Sequence, residues 1–131
     1  AENSQSFKFG FQNSKYGYWV KEADTDVFVP FKSGLNGNVL TNFSTSSVNY
    51  TFTEKYSKAL LILTAPANGN SHLNQLQATI TGASNVQEII SQMFQGSGLY
   101  FIQRAFLIEG ITETTAINAS YWTNFDTRII V

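Results

Sequence analysis

Cysteine is absent from the 131 residues, which excludes disulfide frameworks, thiolate nucleophiles and cysteine-based zinc sites. Charge is scarce too: Asp, Glu, Lys and Arg make up 13% of the chain, about half the usual share. The 8 Lys and Arg against 9 Asp and Glu leave a net charge of −1, and no basic cluster forms. Such a surface has no long-range attraction for nucleic acid or anionic lipid, so neither is an expected partner. Histidine occurs once, at His72, and a two-histidine metal site within one chain is excluded. No apolar run approaches the roughly 18–20 residues that cross a bilayer; the longest, Ala59 to Leu63, is far shorter. The opening Ala-Glu-Asn-Ser-Gln-Ser does not read as a signal peptide. The missing initiator Met points to a processed chain or a piece of a longer protein.

Apolar residues at 43% and aromatics at 15% supply a packed core in a chain of one-domain length. Asn, Gln, Ser and Thr fill the positions that charges usually take. The dominant period is two, the signature of half-buried strands. Phe7, Phe9 and Phe11 alternate with Lys8 and Gly10, Val48, Tyr50 and Phe52 with Asn49 and Thr51, and Leu76, Ala78 and Ile80 with Gln77 and Thr79. Ala59 to Thr64, Tyr100 to Ile108 and Arg128 to Val131 read instead as strands buried on both faces. Asn-Gly pairs at 36–37 and 68–69, and Gly96-Ser97-Gly98, supply turns between them. This spacing of strands and turns predicts an all-β fold, a sandwich or barrel, and an antiparallel β-sandwich of jelly-roll type is the expectation.

Residues 85–94 admit two readings. Val86, Ile89, Ile90, Met93 and Phe94 match a helical stripe, with Asn85 as N-cap and Gly96 past the end. The alternative, favoured by the surrounding β pattern, is a strand from Glu88 to Phe94 that turns at Gly-Ser-Gly into Tyr100–Ile108. At the N-terminus, Tyr16 to Val20 and Val27 to Phe31 form a hairpin about the polar turn Glu22–Asp26, with Pro30 at a sheet edge or strand end. Residues 1–34 thus read as N-terminal strands and a connector hairpin. Residues 47–131 read as the main β unit, and the stretch 33–46, dense in Gly, Asn, Ser and Thr, as a boundary.

Catalytic constellations are missing from this pattern. No Gly-x-Ser-x-Gly elbow accompanies His72, whose loop setting reads as a solvated histidine. Asp24 and Asp26 share a strand face, yet no calcium loop continues from them; Glu109 and Glu113 mark a strand end and the next turn. No Gly-rich phosphate loop is present. No catalytic residue, cofactor or metal is expected. Formal glycosylation sequons at Asn42, Asn49 and Asn118 occur at the frequency that such a composition produces by chance.

Binding chemistry is better supplied. Aromatic rings stack on the C–H faces of sugars while short amides and hydroxyls satisfy the sugar hydroxyls. Tyr121, Trp122, Asn124 and Asp126 carry that content just before the last strand, and Tyr18 and Trp19 form a second candidate pair. Phe7, Phe9 and Phe11 are the expected contact with neighbouring subunits.

Two stretches, the run from Tyr16 to Phe31 (YGYWVKEADTDVFVPF) and that from Val48 to Thr64 (VNYTFTEKYSKALLILT), resemble segments of tail, baseplate and fibre proteins of bacteriophages and prophages from Gram-positive bacteria. The resemblance implies a connector followed by a C-terminal β-sandwich that closes with a hairpin like 88–108 and a strand like 127–131. Such domains often have Gly-rich loops, whereas residues 65–75 here are Asn-rich. The resemblance further implies a virion or cell-surface module, a homo-oligomer (trimer or larger) among other structural subunits. Its role would be non-catalytic assembly or adhesion to a host-surface glycan. The alternative is a stand-alone carbohydrate-binding module of a secreted bacterial protein.

Overall fold

The computed structural model describes the backbone of residues 7–12, 15–22, 25–30, 39–67, 70–96 and 99–131, and the side chains of 39–67, 72–93 and 100–131. It is an all-β, antiparallel protein. Strands β1 (Phe7–Gln12), β2 (Lys15–Glu22) and β3 (Thr25–Pro30) form one sheet with β2 in the centre. The register sets Tyr18 opposite Phe9 on one side and opposite Val29 on the other. The hairpin expected between residues 16 and 31 is therefore the β2–β3 pair. The side chains of Phe7, Phe9, Phe11, Tyr18, Trp19 and Asp26, and all of Asp24, lie outside the described residues.

The second sheet contains β4 (Val39–Thr51), β5 (Tyr56–Ala67), β6 (Gln77–Thr81), β7 (Asn85–Gly96), β8 (Leu99–Ile111) and β9 (Ala116–Ile130). Its order is β4-β9-β5-β8-β7, with β6 also paired to β9. A 3₁₀ helix, Asn70–Gln75, joins β5 to β6. The last strand is thus inserted between β4 and β5, two neighbours in sequence. Residues 39–46, expected at a boundary, belong to β4. Among the described residues no helix is long and apolar enough to cross a membrane.

Each of the three runs read as buried on both faces occupies an interior strand and contributes buried side chains to both faces of the sheet. On one face Ala59, Leu61 and Leu63 of β5 join Ile102, Phe106 and Ile108 of β8 and Ile117, Phe125 and Ile129 of β9 in the main core. On the other face Leu60, Ile62, Ala105, Leu107 and Ile130 form a second buried cluster, with Ile89 and Ile90 against it. Val48 and Phe52 of the second alternating segment point into the main core, and Tyr50 packs against it. Tyr50 and Phe52 meet edge to face at 5.3 Å.

The helix considered for residues 85–94 is not formed; the strand reading holds. β7 pairs with β8 from Asn85↔Glu109 to Gly96↔Leu99, with a register shift between Glu88 and Ile90. That shift explains the helix-like pattern. The extra residue puts Ile89 and Ile90 together against the second cluster and leaves Met93 in the main core, so apolar residues recur at irregular intervals along an extended chain. Pairing eleven residues against β8 also satisfies the backbone groups that a marginal nine-residue helix would have left to solvent. Gly110 closes the same corner at φ +67, where a Cβ would lie 2.1 Å from Ser84 Oγ.

One polar cluster fixes the elements around the later site. Arg104 of β8 donates twice to Glu88 (Nε–Oε2 2.7 Å, Nη2–Oε1 3.2 Å) and once to the Leu76 carbonyl (2.6 Å). The guanidinium fork matches the carboxylate geometry, and its third bond anchors the end of the 3₁₀ helix where β6 begins.

Candidate functional site on strand β9

β9 is long enough to pair with different partners along its two halves. Residues 116–120 pair with β6 and residues 126–130 with β5 on one edge. On the other edge, β4 pairs with both halves but shifts register, from Thr45↔Phe125 to Ser47↔Ser120. Tyr121 to Asn124 therefore lie outside the registers of both edges. The burial alternation nevertheless continues through them. Ile117, Ala119, Tyr121, Phe125, Thr127 and Ile129 are buried, whereas Asn118, Ser120, Trp122, Asn124 and Asp126 are exposed.

This alternation separates the predicted site residues. Tyr121 turns inward: its ring is buried, it meets Phe125 at 6.4 Å and 90°, and its hydroxyl donates to the Pro66 carbonyl at 2.6 Å. Burial raises the phenol above its ordinary value of 10.0, and a hydrogen bond with the Trp122 side chain partly opposes this. Trp122 turns outward and is 57% exposed. Burying an indole ordinarily releases more free energy than burying any aliphatic side chain, so a Trp left this open is a binding-site signal. Asn124 and Asp126 share its outward series, and Asp126 is flanked by Ser44 and Thr64.

His72 was expected in solvent, but is half-buried in the 3₁₀ helix. Its ring lies 5.6 Å from Trp122 and 6.4 Å from Tyr121, and Tyr121 and Trp122 are 5.5 Å apart. Sequence distance hid this contact, because it is the pairing of β5 and β6 with β9 that carries the 3₁₀ helix between them to β9. The imidazole and phenol pack against the indole, which keeps more than half of its surface in solvent.

Just before Trp122, the outer surface of β4, β9 and β6 forms a cleft of 280 Å³. Two cross-strand rows line it: Ser47, Ser120 and Gln77, then Asn49, Asn118 and Thr79. Sequence reading did not gather these six residues. The signal was present as the polar half of each alternating strand, and Asn49 and Asn118, from two of the three sequons, stand directly opposite one another.

Of the carboxylates considered for acid–base chemistry, Asp24 and the side chain of Asp26 lie outside the described residues, and Glu109 is held within the fold. Glu109 pairs with Lys58 at 3.2 Å and accepts from Asn85 at 3.1 Å, and Glu113 is exposed in the turn before β9. Among the described residues no group of three His, Asp or Glu gathers that could hold a metal ion. No family model matches the sequence, and no curated protein or solved structure matches it.

Proposed function

We propose that this chain is a non-catalytic adhesion module that holds a glycan on the outer face of β9. The observation that carries the reading is Trp122, an exposed indole braced by Tyr121 and His72 at the end of a cleft of amides and hydroxyls. An indole face offers a flat apolar surface to the C–H side of a pyranose. Asn and Gln side chains each present a donor and an acceptor to neighbouring hydroxyls. The resemblance of its sequence to phage tail and fibre segments supports a role in an oligomeric virion or surface assembly. There the six-stranded sheet, apolar on both faces at its centre, is one layer of a sandwich.

A glycan array probed with the protein and with Trp122→Ala tests the reading. The expected result is a set of hits that the variant loses by at least about tenfold, the effect of some 1.4 kcal/mol of stacking. The melting temperature should fall by no more than a few degrees, because over half of the residue is in solvent and only its contacts with His72 and Tyr121 are lost. An array without hits, or hits that Trp122→Ala retains in full, would overturn it.

A further inference from the structure

We propose that the β4–β9–β6 cleft and Trp122 form one continuous site for a neutral, unbranched oligosaccharide segment of about three sugar units. This rests on the reading of Trp122 as a sugar platform and adds the ligand's charge, shape and length. The first observation is charge. None of the six side chains that face the cleft is ionisable: Ser47, Asn49, Gln77, Thr79, Asn118 and Ser120. Recognition of uronate, sialate, sulfate or phosphate groups calls for Arg or Lys in fork or point-charge contact, and the cleft holds neither. Beyond Trp122 the outward series of β9 carries the carboxylate of Asp126 and then Arg128, so no net positive charge gathers along the track to favour an anionic chain.

The second observation is shape. Val48 and Ala119, between the two rows, are buried, so the floor is closed and the polar groups stand up in rows of three. Neighbouring strands lie ~4.8 Å apart and alternate residues of a strand roughly 6.7 Å apart. The array is thus a regular grid of donors and acceptors, suited to a chain whose hydroxyls repeat, and its low walls leave no closed end to hold a terminal sugar. The third observation is length. Asn118, Ser120 and Trp122 are successive outward positions, so the track from the inner row to the indole is about 13 Å of extended strand. That matches a few linked pyranoses, with the last one over the ring. The volume of 280 Å³ lies just under the range of about 300–1,000 Å³ usual for pockets that enclose a whole ligand. A ligand partly inside and partly on Trp122 fits that figure.

The test is titration by calorimetry and by backbone NMR with defined probes. The neutral series is di-, tri- and tetrasaccharides derived from cellulose, amylose, chitin and β-mannan; the anionic arm is hyaluronan and oligogalacturonate fragments of equal length. At least one neutral series should bind, with affinity rising to about three units and flattening beyond, and the anionic fragments should not. Asn118→Ala and Gln77→Ala should each weaken the neutral probe by roughly three- to tenfold, in line with one lost hydrogen bond. Both side chains are exposed, so folding is retained, and the NMR spectrum of each variant shows it. Binding of anionic fragments that depends on Trp122 but not on Asn118 or Gln77 would overturn the cleft proposal and leave the platform reading standing. Binding indifferent to Trp122, or none to any probe, would overturn both.

Discussion

At the scale of single residues, adjacent aromatics have opposite duties. Tyr121 and Trp122 are alike in composition, and the sequence suggested both as ligand contacts. Strand geometry divides them, since consecutive side chains leave on opposite faces, and the parity of β9 sends Tyr121 into the core. Its hydroxyl then needs a partner, because an unpaired buried phenol is costly, and the Pro66 carbonyl supplies one. Tyr121→Phe keeps the ring and removes that bond, so urea unfolding near neutral pH should show a loss of about 1 kcal/mol. The pH dependence has a definite sign. The folded phenol titrates above 10.0, so the stabilisation linked to it is fully present below pH 10 and is lost as pH rises from there through the folded value, because the unfolded chain ionises first. Tyr50 and Tyr56 are raised as well, each chiefly by burial, with Glu54 a further cause at Tyr56. Tyr121→Phe should therefore flatten the alkaline decline in part. An unchanged decline between pH 9 and 11 would mean that Tyr121 titrates as it does in water.

At the scale of elements, what the sequence showed clearly is what periodicity encodes. The alternations at 48–52 and 76–80 and the apolar runs 59–64, 100–108 and 128–131 all became strands, with the runs in the interior. Period two identifies a strand with one wet face, and a continuous run identifies one with none. Register is less legible. The one-residue shift in β7 scrambled the alternation enough to resemble a helix, and the larger shift at Thr45–Ser47 has no sequence mark at all. Nor does local pattern reveal which strands become neighbours, so neither the cleft nor the contact of His72 with Trp122 could be assembled before the topology was known. That topology has a measurable consequence in amide exchange. Protection follows ladder hydrogen bonds and burial, so β5, β8 and residues 125–130 of β9 should exchange slowest. Trp122, Thr123 and Asn124, in the same strand but outside both registers, should exchange at least about tenfold faster than their neighbours. Uniform slow exchange along β9 would show that these amides have partners after all.

At the scale of the whole molecule, the scarcity of charge governs how the protein can recognise anything. A chain with 13% charged residues and a net charge of −1 has no field to steer a ligand. Among the described residues, the ion pairs Lys58–Glu109 and Arg104–Glu88 are spent within the fold. The outer face of β4, β9 and β6 carries, among the described residues, amides, hydroxyls and the open indole of Trp122, groups whose hydrogen bonds and stacking act only at contact. Association with a neutral glycan should then be nearly blind to ionic strength. Between about 0.02 and 0.5 M NaCl the Debye length shrinks from roughly 20 Å to 4 Å, a change that weakens charge-led binding by orders of magnitude. Here the dissociation constant should move by less than about twofold over that span, since no ion pair forms and no counterion is released. Calorimetric titration of the neutral tetrasaccharide at the two salt limits makes the measurement. A steep salt slope would place the recognising groups among Arg128, Asp126 or the lysines of the chain, and so away from the polar grid of β4, β9 and β6.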